Sequence, residues 1–112
     1  MIILISSNDG NIENRVNPRF GRSPWFIRYD TEDETWQAFE NQAVSQRGGA
    51  GVAAAQFAVD QKVQAVISGH FGPNASQGLS AGGIEMFTFD SDQATVQEVI
   101  ASFKSNDLTK VS

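Results

Sequence analysis

The stretch Gln64–Ala75 constrains the fold most, because it predicts a strand, a glycine-rich turn and a helix start in succession. The apolar run Ala65–Ile67 stops at a Ser-Gly pair, which is typical of a buried strand. The turn contains His70, the only histidine, and Pro73 suits the first turn of a helix because it has no N–H to leave unpaired. Such a helix turns free N–H groups toward the strand end, where an anion is the natural ligand. A plain tight βα turn is the alternative.

The composition limits the class of protein. The 112 residues suffice for one domain with its own core, and they include no cysteine. Disulfides, thiolate zinc sites, a cysteine nucleophile and a cysteine-ligated iron–sulfur cluster are therefore excluded. The N-terminal apolar run Ile2–Ile5 is too short for a signal peptide or a membrane span. We expect a soluble, cytoplasmic protein that does not bind membranes.

The charge is unevenly distributed. A net charge of −5 argues against nucleic-acid binding, which depends on the neutralisation of phosphates by Lys and Arg. Between residues 11 and 28, however, the only acid is Glu13, and the basic residues there are Arg15, Arg19, Arg22 and Arg28. A local basic segment on an acidic chain suggests a small anionic ligand rather than a polymer. Solvated arginines on a surface loop are the alternative.

Hydrophobic periodicity predicts the remaining elements. Strands are predicted at 1–6, 25–30, 35–40 and 84–89, and helices at 51–61, at 75–81 and after an Asp90-x-x-Gln93 capping box. The segment 12–24 has neither period, and a long loop in a small domain is often functional. Phe20 in this loop is a candidate for an exposed aromatic residue, or else it packs at the rim of the core. We expect one domain over 1–104 and a flexible C-terminal tail over 105–112.

These elements follow one another in the order β-β-β-α-β-α-β-α. This order predicts an α/β fold with a mixed five-stranded sheet and helices on both faces. The hairpin makes the second strand antiparallel to the first, and βαβ units give parallel neighbours. The carboxyl ends of the first, third and fourth strands then share one edge, where open α/β sheets bind ligands. That edge carries the loop Gly48–Gly51, the loop Gly69–Asn74 and the segment 12–24, which contains Arg15, Arg19 and Arg22 and which we call the arginine segment.

The same order is that of ribonuclease-H-like folds, which raises the question of a nuclease. Such nucleases need carboxylates on the central strands to hold two metal ions. The predicted central strands, Ile2–Ser6 and Ala65–Ser68, contain no acid, so we reject this interpretation. No nucleophile–base pair or carboxylate dyad can be assigned either, so a binding protein is expected rather than an enzyme.

A resemblance to a known family is carried by the segments 17–22 (NPRFGR), 48–51 (GGAG) with 54–56 (AAQ), 66–69 (VISG) and 72–75 (GPNA), and it continues at Leu79 and at 83–84 (GI). With them the chain resembles the dinitrogenase iron–molybdenum cofactor biosynthesis family, which includes NifX-like proteins, the C-terminal domain of NifB and orange-protein-like proteins. The resemblance implies a ribonuclease-H-like fold and a carrier or scaffold for a metal–sulfur cluster. That cluster would contain molybdenum with iron or copper, or would be a precursor, and would be loosely held.

The resemblance also suggests how the site is used. A metal–sulfur cluster is a multiply charged anion, which N–H groups and arginines hold without covalent bonds. Arg19 and Arg22 would supply charge, whereas Phe20 and Phe71 would exclude water. His70 is the one candidate for a direct metal ligand, through a neutral imidazole nitrogen, unless it is only a hydrogen-bonding turn residue. The rest of the expected site, largely backbone N–H donors, is Gly21, Gly48, Gly49, Gly51, Gly69, Gly72 and Asn74.

The resemblance implies cluster-donor or cluster-acceptor proteins as partners. An alternative of another class remains open: a regulatory or interaction module that uses the same pocket for a phosphate-bearing metabolite, or that binds a protein partner.

Overall fold

The computed structural model describes residues 1–45 and 47–111. In these residues the order of elements is β-β-β-α-β-α-β-α-β. The strands are β1 (Ile2–Ser7), β2 (Trp25–Asp30), β3 (Thr35–Glu40), β4 (Ala65–Ser68), β5 (Glu85–Thr88) and β6 (Thr109–Val111). The helices are α1 (Ala50–Asp60), α2 (Pro73–Ala81) and α3 (Val96–Lys104). None of these helices is long and apolar enough to cross a membrane.

The strands form one mixed sheet in the order β3-β2-β1-β4-β5-β6. β1 pairs antiparallel with β2 and parallel with β4, while β5 is parallel to β4. The predicted α/β class and the order of the first eight elements are confirmed. The ribonuclease-H-like assignment stays a prediction.

The prediction of five strands is wrong, because the described chain forms six. The additional strand, β6, lies in the segment predicted as a tail and pairs antiparallel with β5, with Val111 opposite Met86. It has only three residues, two of them exposed, so it shows neither the length nor the alternation from which a strand is recognised.

Two hydrophobic cores lie on opposite faces of the sheet, because successive side chains of a strand point to opposite sides. On β1, Leu4 packs into the core that contains Ala54, Ala55 and Ala58 of α1 and Leu79 of α2. Its neighbours Ile3 and Ile5 pack into the core formed with α3. An apolar strand covered on both faces therefore accounts for the unbroken hydrophobic run at the N-terminus.

The start of the last helix differs from the prediction. The Asp90-x-x-Gln93 pattern does not cap it; α3 begins at Val96 behind a capping box formed by Thr95 and Glu98. The Glu98 N–H donates to Thr95 Oγ1 over 3.1 Å, and the Thr95 N–H donates to Glu98 Oε1 over 2.9 Å. Residues 90–93 and residues 95–98 both satisfy the sequence pattern of a capping box. The Val96 N–H donates to Asn14 O over 2.9 Å, and this contact fixes the first turn of α3 at Val96.

Candidate functional site

A cavity of about 330 Å³ lies where three loops meet beyond the carboxyl ends of β1, β3 and β4. We call it the loop cavity. It is lined by Arg19, Phe20, Gly21, Arg22, Gly49, Ala50, Gly51, His70, Phe71, Gly72, Pro73, Asn74 and Ala75. The three segments that were expected at one edge of the sheet are thus brought together.

Two of the predicted site residues do not line the loop cavity. Gly48 is exposed, and a Cβ built on it would contact nothing within 4 Å. Gly69 packs against the arginine segment, since a Cβ there would lie 2.9 Å from Pro18 O. Glycine is therefore required at this position because the two loops approach each other closely. Ala50, Pro73 and Ala75 also line the loop cavity, although they were not among the predicted site residues. Two signals in the sequence could have identified them: their places at the starts of two helices and within the segments that carry the family resemblance.

Two helix N-termini reach the loop cavity, and neither has a side-chain cap. α1 follows Gly49, whose φ is 74°, and α2 follows Gly72, whose φ is 78°. Neither helix has an acidic residue in its first turn, in contrast to the capped helix α3. Uncapped first turns present N–H donors and the positive end of the helix dipole, so both favour an anion.

The two N-termini lie side by side because small residues separate them. A Cβ on Gly51 would be 3.4 Å from the backbone N of Ala75. A Cβ on Gly21 would be 3.1 Å from the backbone N of Gly51. Glycine at these positions brings the arginine segment and both helix starts within reach of one small ligand.

The arginine segment is attached directly to the loop that follows β4. The Phe20 N–H donates to His70 O over 3.0 Å, and Arg19 and His70 pair as a parallel bridge. Asn17 supports this arrangement, because its Oδ1 accepts from the Arg19 N–H at 2.9 Å. Arg19 and His70 are thereby fixed as neighbours, and both are exposed at the loop cavity.

Buried hydroxyl groups hold this pair of loops on the sheet. Ser6 at the end of β1 and Ser68 at the end of β4 are fully buried. Their hydroxyl oxygens are 2.8 Å apart, and Ser6 Oγ donates to Asn17 O over 2.6 Å. Polar groups at such depth require partners, so the network ties the arginine segment to both central strands.

A third segment, residues 41–45, supports Arg22. The Arg22 Nη1 donates to Val44 O over 3.1 Å. The buried Asn41 side chain donates to Gly21 O over 3.2 Å and to Ser23 O over 2.8 Å. The guanidinium group of Arg22 is thus oriented while the residue stays exposed at the loop cavity.

The two aromatic residues of the predicted site lie at the bottom of the loop cavity. Phe20 is fully buried and Phe71 is 8% exposed, and their ring centroids are 5.4 Å apart. Phe20 also packs against Phe26 at 5.4 Å. Of the two interpretations offered for Phe20, the exposed aromatic is wrong and the packed residue is confirmed.

The side chains here do not form a metal site of their own. Across residues 1–45 and 47–111, no three His, Cys, Asp or Glu residues are grouped so that they could hold a metal ion. His70 would therefore act as a single protein ligand to a group held mainly by other contacts.

The helix start at Gly72 provides a test of backbone geometry. We expect Gly72→Ala to weaken binding of an anion such as tetrathiomolybdate severalfold, because φ of 78° with ψ of 160° is a region that only glycine adopts readily. Gly83→Ala is the matched control, since Gly83 has φ of 73° near the other end of α2. Both variants should melt at a lower temperature, but only Gly72→Ala should lose affinity in a titration. Equal affinities would contradict the expectation.

The chain is similar to known proteins over nearly its whole length. A family model described as dinitrogenase iron–molybdenum cofactor matches residues 1–106. Among solved structures, the apo form of the orange protein from Desulfovibrio gigas has a TM-score of 0.94 at 27% identity, covering 99% of this chain and 92% of that one. A Thermotoga protein of the DUF35 family, described as NifB-like, has a TM-score of 0.84 at 30% identity, covering 97% of this chain and 91% of that one. No curated protein sequence matches the chain.

Proposed function

This chain belongs to the dinitrogenase iron–molybdenum cofactor family, and we propose that it is a carrier or scaffold that binds an anionic metal–sulfur cluster in the loop cavity. The family and the similarity to the orange protein support a role in binding or carrying the iron–molybdenum cofactor or a related group. The cargo would be an iron–molybdenum or molybdenum–copper sulfide cluster, or a precursor of one.

One observation carries this proposal: two uncapped helix N-termini and two arginines converge on a single cavity. A sulfide-covered cluster offers many acceptor atoms and several negative charges. Backbone N–H groups meet the acceptors, and Arg19 and Arg22 meet the charge. Phe20 and Phe71 exclude water from below, which strengthens each of these interactions.

The same chemistry makes release feasible. The chain has no cysteine, so it forms no thiolate bonds to metal that would have to be broken. A cluster held by hydrogen bonds and charge can pass between a donor and an acceptor protein without covalent chemistry. Among the described residues that line the loop cavity there is no nucleophile–base pair, and we propose a non-enzymatic role. We also propose a cytoplasmic location, which the lack of cysteine fits.

Anaerobic reconstitution tests the proposal. The full chain is mixed with tetrathiomolybdate, alone and with copper or iron, then separated by gel filtration and examined by visible spectroscopy and metal analysis. We expect coloured protein with a defined metal content. Colourless protein, with all metal in the small-molecule fraction, would overturn the proposal.

A parallel thermal-shift series separates this function from the alternative of a phosphate-bearing ligand, which uses the same N–H donors. The series compares tetrathiomolybdate with nucleotides and inorganic phosphate at equal concentration. We expect the larger rise in melting temperature with tetrathiomolybdate. A rise with one nucleotide, and none with tetrathiomolybdate, would instead support a metabolite-binding module.

His70 has a distinct expected role as a direct metal ligand. In His70→Ala, we expect the reconstituted protein to keep much of its cargo but to show a shifted visible spectrum, because an imidazole nitrogen leaves the metal. His70→Gln serves as a control that retains a hydrogen-bonding side chain and should show the same shift. An unchanged spectrum in both variants would mean that His70 does not ligate.

A further inference from the structure

The side chain of Asn41 joins the segment 41–45 to the arginine segment. Asn41 is 7% exposed, and it lies outside the segments that carry the family resemblance. It is not part of the lining of the loop cavity, and no sequence pattern marked it as a site residue. Its polar groups nevertheless contact either the backbone around Arg22 or the turn that binds the Arg22 side chain.

Asn41 holds the backbone on both sides of Arg22. Gly21 O and Ser23 O flank this arginine, and Asn41 Nδ2 donates to both, over 3.2 Å and 2.8 Å respectively. The Asn41 backbone N–H donates to Pro24 O over 2.9 Å. A single buried residue therefore fixes the stretch of chain from which the Arg22 side chain projects.

Asn41 also places the acceptor for the Arg22 side chain. Asn41 Oδ1 accepts from the Ala43 N–H at 3.0 Å, and Asn41 O accepts from the Val44 N–H at 3.3 Å. These two bonds close a tight turn over 41–44. The turn brings Val44 O within 3.1 Å of Arg22 Nη1, which donates to it. Both ends of the Arg22 side chain are thus set through Asn41.

The partners of Asn41 match the chemistry of an amide. An asparagine side chain offers two N–H donors and a carbonyl acceptor, and Gly21, Ser23 and Ala43 provide the partners. Packing alone would require only a side chain of similar volume, whereas this arrangement requires both the donors and the acceptor. The chemistry of residue 41 therefore indicates a role in orienting Arg22 in addition to filling space.

We propose that Asn41 is a positioning residue for the cargo, because it holds the Arg22 guanidinium group in the orientation that meets an anion in the loop cavity. This role rests on the proposed function, since the anion is the cargo proposed above. A side chain that is already oriented loses less conformational freedom when the anion binds, so the affinity is higher.

The contact with Val44 O also explains why residue 22 is an arginine. A guanidinium group has five donors in a rigid fork, so it can donate to a backbone carbonyl and to an anion at the same time. The ammonium group of a lysine is a compact point charge on a flexible stem and lacks this fork. Arg22 is therefore expected to act as a bridge between the turn 41–44 and the cargo.

NMR of arginine side chains in isotopically labelled, cargo-free protein tests the positioning without a ligand. The readout is rotation of the guanidinium group about the Cζ–Nε bond, which a hydrogen bond on Nη1 slows. We expect slower rotation for Arg22 than for Arg19 in the unaltered chain, and severalfold faster rotation of Arg22 in Asn41→Ser. Rotation of Arg22 that is as fast as that of Arg19, or that is unchanged by the substitution, would overturn the role of Asn41.

Two substitutions separate the hydrogen bonds of Asn41 from its volume and charge. Asn41→Ser is smaller and neutral, whereas Asn41→Asp keeps the volume and adds a charge. Both retain an oxygen for the Ala43 N–H but lack the Nδ2 donor. We expect each to weaken tetrathiomolybdate binding about three- to tenfold, the upper value being the contribution of one arginine contact. Thr95→Ala, which removes the cap of α3 away from the loop cavity, is the control that should lose stability but keep affinity.

A double-mutant cycle with Arg22→Ala distinguishes positioning from general destabilisation. Asn41→Ser should weaken tetrathiomolybdate binding in the unaltered chain and cause no further loss in the Arg22→Ala background. Asn41→Asp should show the same coupling, because any repulsion from its charge persists in both backgrounds and cancels in the cycle. An equal loss of affinity from Asn41→Ser in both backgrounds would overturn the proposal.

Lysine substitutions test the bridge. Arg22→Lys should lose most of the affinity that Arg22→Ala loses, whereas Arg19→Lys should keep most of it, because only Arg22 is expected to need the fork. Equal tolerance of lysine at both positions would overturn the proposal. Failure of tetrathiomolybdate to bind the unaltered chain would overturn the proposed function instead, while the rotation measurement would still decide the role of Asn41.

Discussion

Replacing Arg19 and Arg22 together with alanine is expected to weaken cluster binding on the order of 100-fold, judged by titration with tetrathiomolybdate. A hydrogen bond to a charged group contributes about 1.5–3 kcal/mol, and the double variant removes the two cationic side chains that line the loop cavity. The helix N-termini remain, so some affinity should persist. The fold should be retained, because both side chains are exposed.

A matched control distinguishes local charge from net charge. Arg15→Ala with Lys62→Ala also removes two positive charges, but from exposed positions that do not line the loop cavity. We expect this variant to bind like the unaltered chain at moderate salt, where charges beyond about 8–10 Å are screened. Equal losses of affinity in both double variants would mean that binding follows the overall charge. The assignment of Arg19 and Arg22 to the binding site would then fail.

Phe20→Ala is expected to produce the largest loss of stability, about 3–5 kcal/mol, the usual range for removal of a buried aromatic ring. Phe20 is fully buried between Phe26 and Phe71, with both ring centroids 5.4 Å away. The free energy of unfolding of a small domain is typically about 5–15 kcal/mol, so this substitution would remove a large share of the stability. Urea unfolding followed by tryptophan fluorescence measures the change.

Phe20 also lines the loop cavity, so its effect on binding needs separate assessment. Leu79→Ala is the control, because Leu79 is fully buried in the same core but does not line the loop cavity. We expect both variants to be destabilised and, under conditions where each is folded, only Phe20→Ala to lose affinity for tetrathiomolybdate. If Phe20→Ala binds normally when folded, the residue serves packing alone.

Much of the architecture was predictable because one physical signal dominates each element. β2 and β3 have the predicted bounds, since alternating and apolar residues end at clear turn residues. The meeting of three loops followed from connectivity alone, as βαβ units must place strand ends on one edge. Most of the candidate site was therefore predictable before any contact was known.

The parts that were wrong depend on contacts that a linear pattern does not contain. β6 exists because β5 offers an edge to pair with, not because three residues prefer to be extended. The start of α3 is chosen by hydrogen bonds from Val96 and Gln97 to the distant carbonyls of Asn14 and Ile12. Gly69 has a packing role that the sequence did not predict, since its small size admits Pro18, and its role as an N–H donor to a ligand stays a prediction. In each case, contacts with residues distant in the sequence decide between conformations that the local sequence allows equally well.

The uncapped starts of α1 and α2 have a consequence for the energetics of the whole chain. A ligand that satisfies these N–H groups binds the native state and not the unfolded one, so it raises the free energy of unfolding by mass action. At a hundredfold excess over its dissociation constant the rise is about 2.7 kcal/mol. The melting temperature therefore reports occupancy without a label: cargo-loaded and empty chains should differ in their resistance to heat and to proteolysis.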